Sequence, residues 1–265
     1  GLIIRLFETN DIWQILLIRS LFFIIALTAF LFLTYKKNTI NIIKKSGFPA
    51  IVAGLFLSLS FVAYVVAMSK TTVANVVFII STQTIFLALF GFLFLKEKIT
   101  FKGLIAITLA FVGMLVMVGD SINQGTLFGN IVAFAIPINF TILVMIIRKF
   151  PDLDMVPAIF YSGIFSGIYG LLLASNLTFS SNDIIMGFLL GVPQLAFGFI
   201  CVTIGTKTTK AVTVGLLMLL ETIFAPIWVW IFLNEVPPIS VFMGGAIIIS
   251  AVILKSFDKS LKISD

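Results

Sequence analysis

Residues 69–97 read SKTTVANVVFIISTQTIFLALFGFLFLKE, and residues 207–235 read KTTKAVTVGLLMLLETIFAPIWVWIFLNE. Set one above the other at an offset of 138, without gaps, they agree at eight of 29 positions: Thr71/Thr209, Val76/Val214, Thr84/Thr222, Ile85/Ile223, Phe86/Phe224, Phe94/Phe232, Leu95/Leu233 and Glu97/Glu235. Aliphatic coincidences are expected between strings so rich in Leu, Ile and Phe. The polar matches Thr84/Thr222 and Glu97/Glu235 carry more weight. Each string holds an apolar run of about 20 residues, the length that crosses a bilayer core as a helix. The spacing therefore predicts two copies of one membrane span within an internal repeat.

The rest of the chain agrees. It has 265 residues, 60% hydrophobic and 11% charged, with a mean hydropathy of +1.22. Soluble domains run about 45–50% apolar and about 25% charged. A chain this poor in charge cannot clothe a globule in polar surface, which excludes a soluble enzyme or binding module. Histidine is absent. Imidazole acid–base chemistry, Ser-His and Cys-His pairs and His-ligated zinc are thereby excluded. A single cysteine, Cys201, excludes an intrachain disulfide and a cysteine-only metal cluster. Its neighbours Ile200 and Val202 predict a buried structural thiol. No cofactor or metal is expected.

Nine spans are predicted: 12–34, 48–68, 73–95, 101–118, 127–147, 155–175, 184–205, 211–233 and 237–254, joined by short polar connections such as Lys36 to Lys45. The runs are continuously apolar, which favours helices over a barrel. The net charge of +6 comes from 17 basic and 11 acidic residues. The bases sit between apolar runs, so they orient the chain in a membrane and do not mark a nucleic-acid partner. With the C-terminal tail inside, 14 of the 17 bases fall on the cytoplasmic side; Arg5 and Lys70 fall outside and Arg19 lies within a span. A cell-membrane location follows, the inner membrane in a Gram-negative cell.

In that orientation Glu97 closes its span inside and Glu235 closes its span outside, so the two halves are inverted copies. Shifting the span 127–147 back by 138 gives −11 to 9, so most of a tenth helix is expected ahead of Gly1. The fold expected is all-α: a polytopic bundle of two inverted five-helix repeats, 1–119 and 120–265, with the first helix largely outside this chain. Inverted repeats are common in secondary transporters, whose sites lie near mid-membrane where the repeats meet.

The helix endings TQTIFLALFGFLFLKEKIT (82–100) and LETIFAPIWVWIFLNEVPP (220–238) resemble the EamA-type transporters of the drug/metabolite transporter superfamily. Members close their fourth and ninth helices with runs of the form PLF…LLxGE and EPVFA…LLGE. Glu97, Glu235 and Glu221 match these; Thr84 and Thr222 stand where proline is usual, and Lys96 and Asn234 where glycine is usual. Arg19, in LLIRSLFF (16–23), resembles a second-helix arginine common in the family. The resemblance implies ten helices, cytoplasmic termini and transport of small metabolites, often export of amino acids or related compounds.

Two charges lie within spans, Arg19 about 10 Å from one helix end and Glu221 about 15 Å from the other, at 1.5 Å per residue. An intramembrane charge costs at least about 2.5–3.5 kcal/mol and is a functional candidate by default. They are expected either to wall a substrate cavity or to form a fixed ion pair; Arg19 bonded to backbone carbonyls is the third possibility. Gln83 is the repeat counterpart of Glu221 and joins the candidates, as do Asn139, Tyr64, Gln194 and Trp230. Asn75, Tyr161 and Tyr169 fit interhelical hydrogen bonding better. Pro137, Pro193 and Pro226 predict kinks, and the pairs Gly163/Gly167 and Gly187/Gly191 predict close helix contacts within one chain or between two, so monomer and homodimer stay open.

The function expected is a secondary transporter, an exporter of small metabolites working by alternating access around a central cavity. A channel-like facilitator or a membrane scaffold is the alternative. An intramembrane enzyme fits least: no aspartate lies within a span, so there is no aspartyl pair, and no lysine lies at depth for a Ser-Lys dyad. A phosphate-binding loop is absent, so ATP is not the direct driver.

Overall fold

The computed structural model describes residues 3–71, 73–118, 126–233 and 239–256. Every element in it is helical. The helices are α1 (Ile12–Tyr35), α2 (Thr39–Lys70), α3 (Val73–Ser81), α4 (Gln83–Leu95), α5 (Phe101–Val118) and α6 (Leu127–Lys149). They continue with α7 (Val156–Leu173), α8 (Ser181–Leu189), α9 (Phe197–Thr206), α10 (Ala211–Met218), α11 (Leu220–Leu233) and α12 (Ile239–Ser256). A π turn, Leu190–Ala196, joins α8 to α9. The predicted spans are recovered to within a few residues, with 73–95 and 211–233 each split in two.

Polar side chains set the helix starts. Asp11 caps α1 by accepting the Trp13 N–H at 2.8 Å, Thr126 caps α6 from Gly129 at 3.2 Å, and Ser180 caps α8 from Asp183 at 3.1 Å. At the other end of α4, Lys96 takes a left-handed conformation (φ 54°), and the Glu97 N–H returns to the Gly91 carbonyl at 3.0 Å. Residues 36–45, expected as a polar connection, are instead helical: a 3-10 turn at Lys36–Asn38 runs into the start of α2. Gly47 (φ 54°, ψ −150°) then bends α2 just ahead of Pro49, turning an amphipathic stub at the lysine-rich end into a span.

The hydrogen bonds sort the helix ends into two faces. Tyr35 donates to Asp154, and Arg148 reaches both Glu97 and Thr209, at one end. Asp11 accepts from Ser175, Gln14 donates to Asn176 and Thr71 to Asn130, at the other. The first end gathers Lys36, Lys37, Lys96, Lys98, Lys149, Lys207 and Lys210; the second keeps Lys70. The outer wall is apolar, with Leu33, Phe197 and Ile239 exposed at 78%, 69% and 78%. Such a wall is stable only against lipid.

Lipid is as apolar as leucine, so close packing and hydrogen bonds hold such helices together. The fully buried Phe23, Leu27, Leu57, Leu143 and Ile159 fill the centre where α1, α2, α6 and α7 meet. Ser20 and Ser166 share a hydrogen bond of 2.8 Å across α1 and α7. Both glycine pairs face α1: Gly163 and Gly167 meet Phe23, Ile24 and Ser20, and Gly187 and Gly191 meet Ile18, Phe22 and the Arg19 backbone. The small residues therefore serve contacts within the chain.

The repeat is visible in the element bounds. Shifted by 138, α5 falls on α12. The break at Thr82 between α3 and α4 falls one residue from the break at Leu219 between α10 and α11; each is a one-residue slip in the hydrogen-bond ladder with right-handed dihedrals (φ −63°, ψ −12° and φ −66°, ψ −18°). Packing around the breaks is unequal. α4 lies along α10, while among the described residues α3 and α11 have no comparable contact. At the tight crossing a Cβ on Gly215 would meet the Thr84 Cα at 2.8 Å, and one on Gly91 would meet the Ala211 Cβ at 3.2 Å.

Candidate functional site

Arg19 sits at the centre. It is 3% exposed, two turns into α1, with its side chain against α2. Its Nη2 donates to the Phe61 carbonyl at 3.2 Å, and its Cζ lies 5.2 Å from the Phe61 ring centroid and 6.0 Å from that of Tyr64. Among the described residues its Nε has no hydrogen-bond partner and its guanidinium no carboxylate partner. The expected ion pair with Glu221 is therefore not formed here; Arg19 takes the backbone-carbonyl alternative. Tyr64 is within electrostatic range of both Arg19 and Glu221.

Phe61 extends the cluster, with Phe23 at 5.7 Å and Phe199 at 5.4 Å edge to face, and Phe140 reaches Phe199 at 6.4 Å. Edge-to-face rings of this kind add about 0.5–1.5 kcal/mol per pair beyond burial. Phe61 and Phe199 were not among the sequence candidates. The one available signal was Phe61 three residues before Tyr64, one helical turn away on the same face.

Gln83 opens α4 directly after the break at Thr82 and is 5% exposed. Glu221 lies at the start of α11, two residues after Leu219. Glu221 is exposed, unlike its counterpart. The difference follows from packing: α6 lies along α4 and covers it, and among the described residues α11 touches only α10 and α12 to a significant degree. A cavity of about 10 Å³ lies at the two breaks, between Ser81, Thr84, Ile107, Ala110 and Leu219. It has room for one water at most.

The other candidates scatter. Asn139 is buried on α6 next to Phe140. Gln194 is exposed within the π turn that Pro193 shares. Trp230 is 42% exposed and stands edge-on to Phe242 of α12 at 6.0 Å, on the outer side of the bundle. Asn75 bonds Asn130 at 3.2 Å between α3 and α6, the interhelical role expected of it. Cys201 is exposed and not buried. The expectation failed because apolar neighbours signal burial only when the surroundings are water; in a lipid-facing wall they signal the outside.

At the lysine-rich end a second polar group closes the bundle. Glu97 Oε1 lies 2.5 Å from Arg148 Nη1, and Glu97 Oε2 accepts the Ala211 N–H at 3.1 Å, capping α10. Arg148 also donates to the Thr209 carbonyl at 2.8 Å. The two side chains are 8% and 6% exposed, so α4, α6 and α10 are tied together by a nearly dry ion pair. Sequence placed Glu97 in the repeat but gave it no partner.

Comparison with known proteins adds three findings. The family model described as the EamA-like transporter family matches residues 2–119 and again residues 127–257. An uncharacterized transporter of Methanothermobacter thermautotrophicus is 27% identical over 209 residues, covering 72% of this chain and 59% of the relative, so the match spans about six tenths of that protein. A solved crystal structure superposes with a TM-score of 0.82 at 14% identity, covering 96% of this chain and 90% of its own, a likeness of fold.

Proposed function

The chain belongs to the EamA-like transporter family, and from that premise we propose a secondary transporter that exports small metabolites, amino acids or related compounds, by alternating access. The observation that carries the reading is the double match to that family model, residues 2–119 and 127–257, one per repeat. Repeat transporters build their central sites where equivalent helices of the two halves meet. Gln83 and Glu221 hold equivalent places in the two copies. Together with Arg19, Tyr64 and Asn139 they form the proposed substrate-facing set, with Gln194 and Trp230 as outlying members.

In this reading the halves are 1–119 and 120–265, and the lysine-rich end faces the cytoplasm by the excess of bases there. The Glu97–Arg148 pair and the α4–α10 crossing hold the cytoplasmic end shut in one arrangement and release it in the other. Exchange of these two arrangements moves the substrate.

The test is transport by the purified protein in proteoliposomes, with Glu221→Gln and Gln83→Leu beside the wild type. Saturable, competed uptake, at least tenfold slower in Glu221→Gln at normal folded yield, supports the reading. Undiminished transport in Glu221→Gln removes that residue from the site. Flux that never saturates replaces the carrier with a channel.

A further inference from the structure

We propose that Arg19 is a binding site for the carboxylate of a small monoanionic substrate with an apolar tail. The proposal rests on the transporter reading, since it gives that transporter a substrate class.

The argument starts from an imbalance. A guanidinium carries five N–H donors and stays charged in proteins. Arg19 is 3% exposed, yet among the described residues it makes one hydrogen bond, to the Phe61 carbonyl, and its Nε makes none. A buried charge without a counter-charge is strongly unfavourable, and fixed structural arginines are normally paired. The missing partner is an anion supplied from elsewhere.

The surroundings narrow its chemistry. The Phe61 and Tyr64 rings lie near the guanidinium at 5.2 and 6.0 Å, in the range of cation–π contact. Ring contacts use no N–H, and with Nη2 on the Phe61 carbonyl and Nε unbonded the guanidinium keeps donors for the fork that grips a carboxylate with two parallel hydrogen bonds. Arg19 is also the one Lys or Arg set deep within a described span. One positive charge balances one negative charge, which favours a carboxylate over a dianionic phosphate. One helical turn along from Arg19 on α1, and from Phe61 and Tyr64 on α2, lies a cavity of about 80 Å³ lined by Ile12, Ile15, Val65 and Met68, with Ile4 and Ser69 at its edge. It is apolar and sized for a short aliphatic group. The cavity lies toward the end of the bundle that carries Lys70, opposite the Glu97–Arg148 pair.

The test uses the full chain in lipid nanodiscs and reads thermal melting with 4-methylvalerate, 4-methylvaleramide, isoamylamine or inorganic phosphate at up to roughly 10 mM, a hundredfold excess over a 0.1 mM Kd. The acid is expected to raise the melting temperature, and the amide and amine to leave it unchanged. In Arg19→Gln the affinity for the acid falls at least tenfold, while ligand-free melting does not fall. Arg19→Lys, which keeps the charge without the fork, retains weakened binding and covers the case in which Arg19→Gln misfolds. Equal stabilisation by the amide, acid binding undiminished in Arg19→Gln, stronger stabilisation by phosphate, or no response to the acid each overturns the site. The transporter reading fails separately: acid binding that depends on Arg19, without flux in proteoliposomes, keeps the site and refutes transport. Arg19-independent flux of the amide does the reverse.

Discussion

Glu97 does three jobs with one carboxylate: it pairs with Arg148, caps α10, and sits under the left-handed turn at Lys96. Breaking a buried ion pair from one side leaves the other charge stranded, at about 3–5 kcal/mol. We expect Glu97→Gln and Arg148→Met each to lower stability by about 3 kcal/mol or more, and the double variant to recover part of the loss. A double-mutant cycle on thermal melting checks this; strictly additive losses would mean that the pair contributes nothing as a pair. Asp11 is a gentler case at the opposite end. Burial pushes its carboxyl up, but hydrogen bonds from the Ser175 hydroxyl and N–H and from the Trp13 N–H outweigh it and hold it below the usual aspartate value. A depressed folded pKa adds stability above the unfolded value, lost as pH falls through the folded one. Asp11→Asn should therefore flatten the acid limb of a melting-versus-pH curve, while Asp11→Ala also loses the cap, about 1 kcal/mol at neutral pH. Cys201 shows what a residue cannot say alone. Its apolar neighbours are the same in a core and in a lipid-facing wall. At its exposed position Cys201→Leu should change stability by less than about 0.5 kcal/mol, where a packed site would lose about 1–3 by overfilling.

Among the elements, the helix that carries the π turn shows packing most directly. A Cβ on Gly191 would meet the Arg19 carbonyl oxygen at 2.5 Å and the Phe22 Cβ at 2.7 Å; one on Gly198, two turns further along, would meet nothing within 4 Å. Backbone at that distance cannot step aside, so Gly191→Ala is expected to cost about 1–3 kcal/mol. Gly198→Ala is expected to be neutral or mildly stabilising, since alanine is the better helix former by about 1 kcal/mol. Melting of the two variants side by side decides it. The spans were legible because twenty apolar residues between basic clusters have few other fates. The breaks were less so. At the first, Ser81 and Thr82 bond back to the Phe78 and Ile79 carbonyls at 2.5 and 2.6 Å, and hydroxyls that compete for helix carbonyls are a readable warning. At Leu219 no glycine, proline or hydroxyl marks the place, and only the repeat with residues 69–97 could have located it. The helical start of α2 was hidden by its charges: lysines read as a loop until an interfacial helix is allowed to carry them.

For the whole molecule, the two repeats are unequal at the point that matters most. The close crossing of α4 and α10 uses Gly91, Ala211 and Gly215. At the offset of 138 the same places hold Val229, Val73 and Val77. The crossing at the lysine-rich end is built on small residues, whereas the sequence has β-branched residues at the equivalent places of the other copy. Replacing Gly215 by Val should loosen the first, because its Cβ already meets the Thr84 backbone; Val77→Gly should ease the second. Spin-label distances across each end, measured in nanodiscs, are expected to shift in opposite directions in the two variants. Unchanged distances would show that the seams do not set the balance. A molecule weighted this way is a rectifier of affinity. If its empty form spends nearly all its time open to one side, a solute arriving there finds almost every copy receptive. A solute arriving from the other side must wait for a rare conformer, and its half-saturation rises by the inverse of that conformer's population. Three small side chains out of 265 residues would then decide from which compartment the same binding site looks strong, and from which it looks weak.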